Sequence, residues 1–197
     1  MFNSDEVVIR CVKIQDCEEL LSIYAPYVLN TAITFEYEVP SKEEFTERIK
    51  NISKKYPYLV AEFNGKIAGY AYAGCFKDRS AYDWAVETTI YIDANYKKSG
   101  IGKKLYSTLE NELKRQNVVN LNACIAYTEN ENEHLTNDSC HFHEHMGYRL
   151  VGRFTKCGYK FNEWYDMIWM EKIIGEHNKN QEPFIPYEKL KVNEEII

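Results

Sequence analysis

The sequence predicts a mixed α/β domain of the α+β type, with a mostly antiparallel central sheet flanked by helices. Three observations predict it: two helical stretches near the N-terminus, an antiparallel meander pinned by an Asn-Gly turn, and one strand, glycine loop, helix, strand crossover. A chain of 197 residues is long enough for one well-buried core, and two complete domains would strain it. One domain over residues 1–172 and a tail over 173–197 are therefore expected.

Taken in order, Val7 to Val12 reads as a first strand. From Asp16 to about Asn30, apolar residues recur at Leu20, Leu21, Tyr24, Tyr27 and Val28, the period of a helix, which Pro26 ends or kinks. Asn30 to Pro40 is a loop holding the aromatic pair Phe35 and Tyr37. Ser41 and Glu44 have capping-box spacing, and Phe45, Ile49 and Ile52 repeat at helical intervals, so Ser41 to about Tyr56 is a second helix. Tyr58 to Phe63 and Ile67 to Cys75 alternate as strands around Asn64-Gly65-Lys66, because Asn-Gly suits a tight hairpin turn with positive φ.

Val86 to Asp93 is β-branched or aromatic and alternating, which predicts a half-buried strand with Glu87, Thr89 and Tyr91 on one face. The two glycines of Lys97-Lys98-Ser99-Gly100-Ile101-Gly102 let the backbone bend tightly and its N–H groups approach an anion. Ile101, Leu105, Leu109 and Leu113 then recur every four residues. They predict an amphipathic helix whose N-terminus adds partial positive charge beside the loop. Val118 to Tyr127 is a strand, Asp138 to His145 a short helix closed by Gly147, and Tyr148 to Lys156 and Trp164 to Lys172 are strands. From Ile173 the chain turns polar and carries two prolines, an extended tail packed on the domain or on a partner.

Composition excludes several classes. A net charge of −6 argues against broad nucleic-acid binding, which needs a basic face to displace counterions. Against that background Lys97, Lys98, Lys103 and Lys104 beside a glycine loop suit a small polyanion. There is no apolar run of ~18 residues and no basic, hydrophobic leader, so a cytoplasmic protein with no membrane partner is expected. Six cysteines without CxxC pairs imply neither a disulfide framework nor a zinc ribbon. His141 and His145 would share a helix face, as metal ligands do, but HExxH is absent and no metal is expected.

The glycine loop is not a Walker P-loop, since GxxxxGK[ST] is absent. It is not a dinucleotide fingerprint either, because the third glycine is missing and the sheet reads as antiparallel. A strand, then [QR]-x-x-G-x-[GA], then an amphipathic helix resembles the acetyl-CoA-binding core of the GNAT acyltransferases, with Lys97 where that motif usually has Gln or Arg. Four segments narrow the resemblance: TAITFEYEVPSKEEF, AYDWAVETTIYI, SCHFHEHMGY and GYKFNEWYDMIWM. In that order they resemble the phosphinothricin and methionine sulfone (sulfoximine) N-acetyltransferases over roughly residues 7–172.

This resemblance implies the GNAT fold, acetyl-CoA as co-substrate, a homodimer, and transfer of acetyl to a small α-amine by direct attack, without an acyl-enzyme. Residue by residue, Glu87 matches the general base; an amine must lose a proton before attacking a thioester, and a carboxylate can relay it. Ile90, Tyr91 and Ile92 match strand positions whose backbone meets the pantetheine arm and the acetyl carbonyl, where an N–H can stabilise an oxyanion. Lys97, Lys98, Ser99, Gly100, Ile101, Gly102 and Lys103 match the pyrophosphate loop. Asn137 and Ser139 match the element at the thiol end of CoA, with Ser139 or His143 the candidate that protonates the leaving thiolate. Phe35, Glu36, Arg79, Tyr82, Lys160, Phe161 and Trp164 match the amino-acid pocket, Arg79 supplying a donor fork for the α-carboxylate. Two other functions compete with this reading: acetylation of a protein or peptide amine, and an acyl-CoA-binding regulatory module without catalysis.

Overall fold

A computed structural model describes residues 6–194. Seven strands form one sheet in the order β1-β2-β3-β4-β5-β7-β6. They are β1 (Val8–Cys11), β2 (Tyr58–Phe63), β3 (Lys66–Cys75), β4 (Ala85–Ile92), β5 (Asn120–Tyr127), β6 (Arg149–Lys160) and β7 (Glu163–Ile173). The helices are α1 (Cys17–Asn30), α2 (Lys42–Lys55), α3 (Ile101–Arg115), α4 (Asp138–His145) and α5 (Tyr187–Glu194). All neighbouring strands run antiparallel except β4 and β5, which the α3 crossover makes parallel.

The two sheet faces bury different helices. Leu105, Leu109 and Leu113 of α3 pack on Leu59, Ala71, Val86, Leu121 and Met170 on one face. On the other, Leu20, Ile23 and Tyr24 of α1 and Phe45 and Ile49 of α2 pack on Tyr58, Val60 and Tyr70. Ser41 is the N-cap of α2 that the spacing with Glu44 predicts, its hydroxyl accepting from the Glu44 N–H at 3.1 Å. At Asn64 (φ 51°) and Gly65 (φ 74°) the β2–β3 hairpin takes the positive φ values expected of it.

Pro26 neither ends nor breaks α1. Although proline removes one helical donor, the helix runs on to Asn30 because Leu20, Ile23, Tyr24 and Val28 are buried against the sheet. The last hairpin is longer than its sequence pattern predicts. β6 continues to Lys160 through two register shifts, and Phe161 (φ 51°) and Asn162 (φ 60°) make the turn into β7. The segment after Ile173 folds back across the domain and carries α5.

Positioning of the site rests on one feature of the sheet. β4 and β5 pair over Ala85–Asn120, Val86–Leu121 and Glu87–Asn122, and past Glu87 they part. A cleft opens between the two strands, floored by α3 and α4.

Candidate active site

The cleft is a cavity of about 510 Å³. Glu87 to Tyr91 of β4 line one wall and Ala123 to Ala126 of β5 the other, with Phe35 and Tyr72 on one side and Tyr106, Ser139 and His143 on the other. Glu87 sits at its apex, on the last residue of β4 that pairs with β5. Burial raises its carboxyl above the ordinary carboxylate range, an effect partly offset by the Lys77 ammonium. A carboxylate so placed is a stronger base than one in water.

At the α3–α4 end the polar groups are interlocked. His143 is 3% exposed, and its Nδ1 lies 2.7 Å from the Ser139 carbonyl oxygen, which can only accept. That contact puts the ring proton on Nδ1, so Nε2 accepts from the Tyr106 hydroxyl at 2.9 Å. Burial pushes the imidazole down to about 4, which keeps it neutral at pH 7. Below it, the Thr88 hydroxyl is 3.2 Å from both the Asn122 carbonyl and the Tyr148 hydroxyl.

The glycine loop follows β4 and leads into α3, which reaches the cavity through Tyr106. Lys98 (φ 58°) and Gly100 (φ 87°) are both left-handed, turning the chain so that α3 starts at Ile101 with its first N–H groups directed outward. Lys97, Lys98 and Lys103 are exposed, and Lys97 Nζ also lies 5.2 Å from the Tyr27 ring centre. A Cβ on Gly102 would come within 3.2 Å of the Phe142 ring, so this glycine also lets α4 approach α3.

Of the residues the sequence proposed, Phe35, Glu87, Ile90, Tyr91, Ser139 and His143 meet around the cavity. Others do not line it. Asn137 clamps the end of β5, its side chain accepting from the Thr128 N–H and donating to the Thr128 carbonyl. Lys160 is 3% exposed, and its ammonium donates to the carbonyls of Val28 (2.7 Å), Thr31 (2.7 Å) and Thr34 (2.8 Å). Its charge caps the end of α1 and braces the loop that carries Phe35. Glu36 pairs with Arg48 at 2.7 Å. Phe161 lies in the β6–β7 turn, stacked on His134 at 3.9 Å, and Trp164 is exposed beside Tyr159. Arg79 and Tyr82 lie on the exposed stretch between β3 and β4.

Sequence reasoning passed over three lining or neighbouring groups. Tyr106 reaches the cavity from α3, one position beyond the leucine that marks the helix's apolar face. Cys124, its thiol pushed up to about 12 by burial and by Glu87, faces the cavity from β5. Lys77 lies over the rings of Phe76 and Trp169, at 5.2 and 5.8 Å, within electrostatic reach of Glu87. Only the aromatic clustering at 76, 82 and 84 hinted at this last site. Among the described residues no group of three or more His, Cys, Asp or Glu is placed to hold a metal ion.

Comparison with known proteins gives a consistent result. Residues 9–169 match the family described as Acetyltransferase (GNAT) domain. The chain is 33% identical over 167 residues to a phosphinothricin N-acetyltransferase of Streptomyces viridochromogenes, covering 84% of this chain and 87% of that protein. It is 27% identical over 174 residues to an L-methionine sulfoximine/L-methionine sulfone acetyltransferase of Salmonella typhimurium, covering 87% and 96%. Among solved structures, a GNAT superfamily phosphinothricin acetyltransferase from Sinorhizobium meliloti in complex with AcCoA superposes with a TM-score of 0.81 at 29% identity. That match covers 92% of this chain and 98% of the other.

Proposed function

The chain belongs to the GNAT acetyltransferases, acetyl-CoA-dependent N-acetyltransferases, and we propose that it acetylates the α-amine of a small free amino acid or analogue. The observation that carries this reading is Glu87, a half-buried carboxylate of raised basicity at the apex of a cleft between two diverging strands. The acceptor class follows the relatives, whose names specify phosphinothricin, methionine sulfoximine and methionine sulfone.

In this reading acetyl-CoA lies along the open edge of β4, its amides against the backbone of Ile90, Tyr91 and Ile92. Its pyrophosphate rests on the N–H groups from Ser99 to Lys103, with Lys97 and Lys98 adding charge. Glu87 takes a proton from the substrate ammonium. The freed amine attacks the thioester carbonyl, the C–N bond forms, the C–S bond breaks, and the electron pair leaves on the CoA sulfur. A β4 backbone N–H steadies the oxyanion formed on the way. The Ser139 hydroxyl then donates to the departing sulfur and is restored by the second proton, which the new amide nitrogen loses, while neutral His143, engaged by the Ser139 carbonyl and Tyr106, holds that turn of α4 in place.

The acceptor lies at the Phe35, Glu87 and Cys124 end. Lys77 and Arg79 supply positive charge for its α-carboxylate, and Tyr82 walls the approach. Lys160 acts here through the loop it braces. The enzyme works as a homodimer, a reading supported by the edge strand β6, which exposes Leu150, Val151, Phe154 and Tyr159 beside Trp164. A Phe154→Asp change then yields monomers by light scattering; an unaltered mass for a wild-type monomer removes that part. Its place is the cytoplasm, supported by six cysteines that are all free.

The deciding experiment is a thiol-release assay with acetyl-CoA against amino acids, including methionine sulfone and phosphinothricin. Turnover of one or more is expected. Activity confined to peptides would sink the reading in favour of a protein acetyltransferase, and acetyl-CoA binding without any turnover would favour a regulatory module.

A further inference from the structure

The stretch from Phe76 to Trp84 joins β3 to β4 and bears Lys77, Arg79 and Tyr82. Its internal hydrogen bonds are local: Arg79 N–H to the Lys77 carbonyl, Tyr82 N–H to that of Arg79, and Asp83 N–H to that of Ser80. Such bonds shape a turn without placing it, so its position depends on its two ends. Phe76 is anchored edge-on against Trp169, 5.5 Å between centres. At the other end, just before β4, the Trp84 carbonyl accepts from the Val119 and Asn120 N–H groups, and its side chain is placed by the indole N–H donating to the Glu182 carbonyl at 2.7 Å.

Glu182 belongs to a strap that lies beyond residue 169, where the family match ends. The Pro183 carbonyl accepts from the Asn117 side-chain amide at 2.7 Å. Ile185 exchanges two bonds with Gln116, its N–H to the backbone carbonyl at 3.1 Å and its carbonyl from Nε2 at 2.7 Å. Between them the Phe184 ring packs on Tyr56, with Lys55 Nζ 5.2 Å from its centre, and Lys55 in turn pairs with Asp83 at 2.9 Å. Tyr187, 5% exposed, closes the run. The strap therefore ties the ends of α2 and α3 to the segment that leads into Glu87.

We propose that the 182–187 strap is a positioning element for the acceptor side of the site, acting through Trp84 to hold the 76–84 segment over the Glu87 end of the cleft. The inference rests on the amine-acetylating reading for its kinetic consequence only. Glu182, Pro183, Phe184 and Ile185 reach Trp84, Asn117, Tyr56 and Gln116 rather than the glycine loop, so the effect of the strap is confined to the amine.

The test uses the full chain with Trp84→Phe, which keeps an aromatic ring and removes the donor, and Phe184→Ala, which removes the ring packed on Tyr56. Each raises KM for the amine by about three- to ten-fold, the scale of one lost hydrogen bond. KM for acetyl-CoA and kcat stay near wild type, and Phe184→Leu restores most of the loss. Amide hydrogen exchange, which needs no turnover, quickens across 76–84 and stays unchanged across 97–105. Unchanged exchange in 76–84, or an equal rise in both KM values, overturns the proposal. A wild-type enzyme that acetylates no amino acid overturns the functional reading instead and leaves the exchange result to decide the strap.

Discussion

The Tyr106 hydroxyl donates to Nε2 of His143 at 2.9 Å, while Nδ1 of the same ring donates to the Ser139 carbonyl. Both nitrogens are thus engaged, and the ring is neutral because burial pushes it down to about 4 from 6.5. A neutral imidazole whose one N–H is held by a carbonyl and whose lone pair is already occupied is a poor proton donor to a thiolate. It orients its neighbours instead.

This has a consequence for stability. A His depressed in the folded state contributes stability that is full above the unfolded value of 6.5 and is lost as pH falls toward about 4. Across that window the loss amounts to about 3 kcal/mol. Urea unfolding at a series of pH values should show this acid sag in the wild type, and His143→Gln should flatten it.

Glu87→Gln keeps the shape of the side chain and removes the proposed base. The expected drop in kcat is about 10²–10⁴-fold with folding unaltered. Because Glu87 acts deprotonated and its pKa is raised, wild-type kcat/KM should fall with acidification at a pH above the ordinary carboxylate range. A residual activity that keeps the same acid limb in the variant would assign that limb to another group.

Lys160→Met leaves three carbonyls, those of Val28, Thr31 and Thr34, without their shared donor. Thermal or urea unfolding should register a loss of about 1–3 kcal/mol. A variant of unchanged stability with a raised KM for the amine would return Lys160 to the substrate pocket.

Gly158 is where Phe35 meets β6: a Cβ there would stand 2.3 Å from the Phe35 ring. Gly158→Ala must push that ring out of the cavity, lowering stability by about 1–3 kcal/mol and raising KM for the amine but not for acetyl-CoA. In the double variant Gly158→Ala, Phe35→Ala the stability losses should be strongly non-additive, since one change removes what the other collides with.

Most secondary structure was legible because its determinants lie within a few residues of one another. Asn64-Gly65 dictates a turn whatever surrounds it, Ser41 reaches an N–H three positions on, and the leucines of α3 repeat within one helix. Pro26 does not end its helix, for the opposite reason: the burial of that helix outweighed a local preference. The glycine loop and Glu87 were recognisable as motifs.

The pocket was less legible than the motifs. Lys160, Phe161 and Trp164 sit close together in sequence yet go to a buried helix cap, a turn and an exposed position at the start of β7. Pattern could not separate them, because adjacent strand residues take opposite faces and a bulge resets which face is which.

By itself, then, the chain's order of residues determined the family, the element order and the loop-and-carboxylate pair, all written in short-range patterns. Only the tertiary structure decided where β4 and β5 part, that Tyr106 turns to His143, that Lys160 is spent on three carbonyls, and that residues 182–187 reach back to Trp84. Those outcomes depend on contacts between segments far apart in the chain. Their energies come from burial and hydrogen bonding that exist only once the sheet has closed.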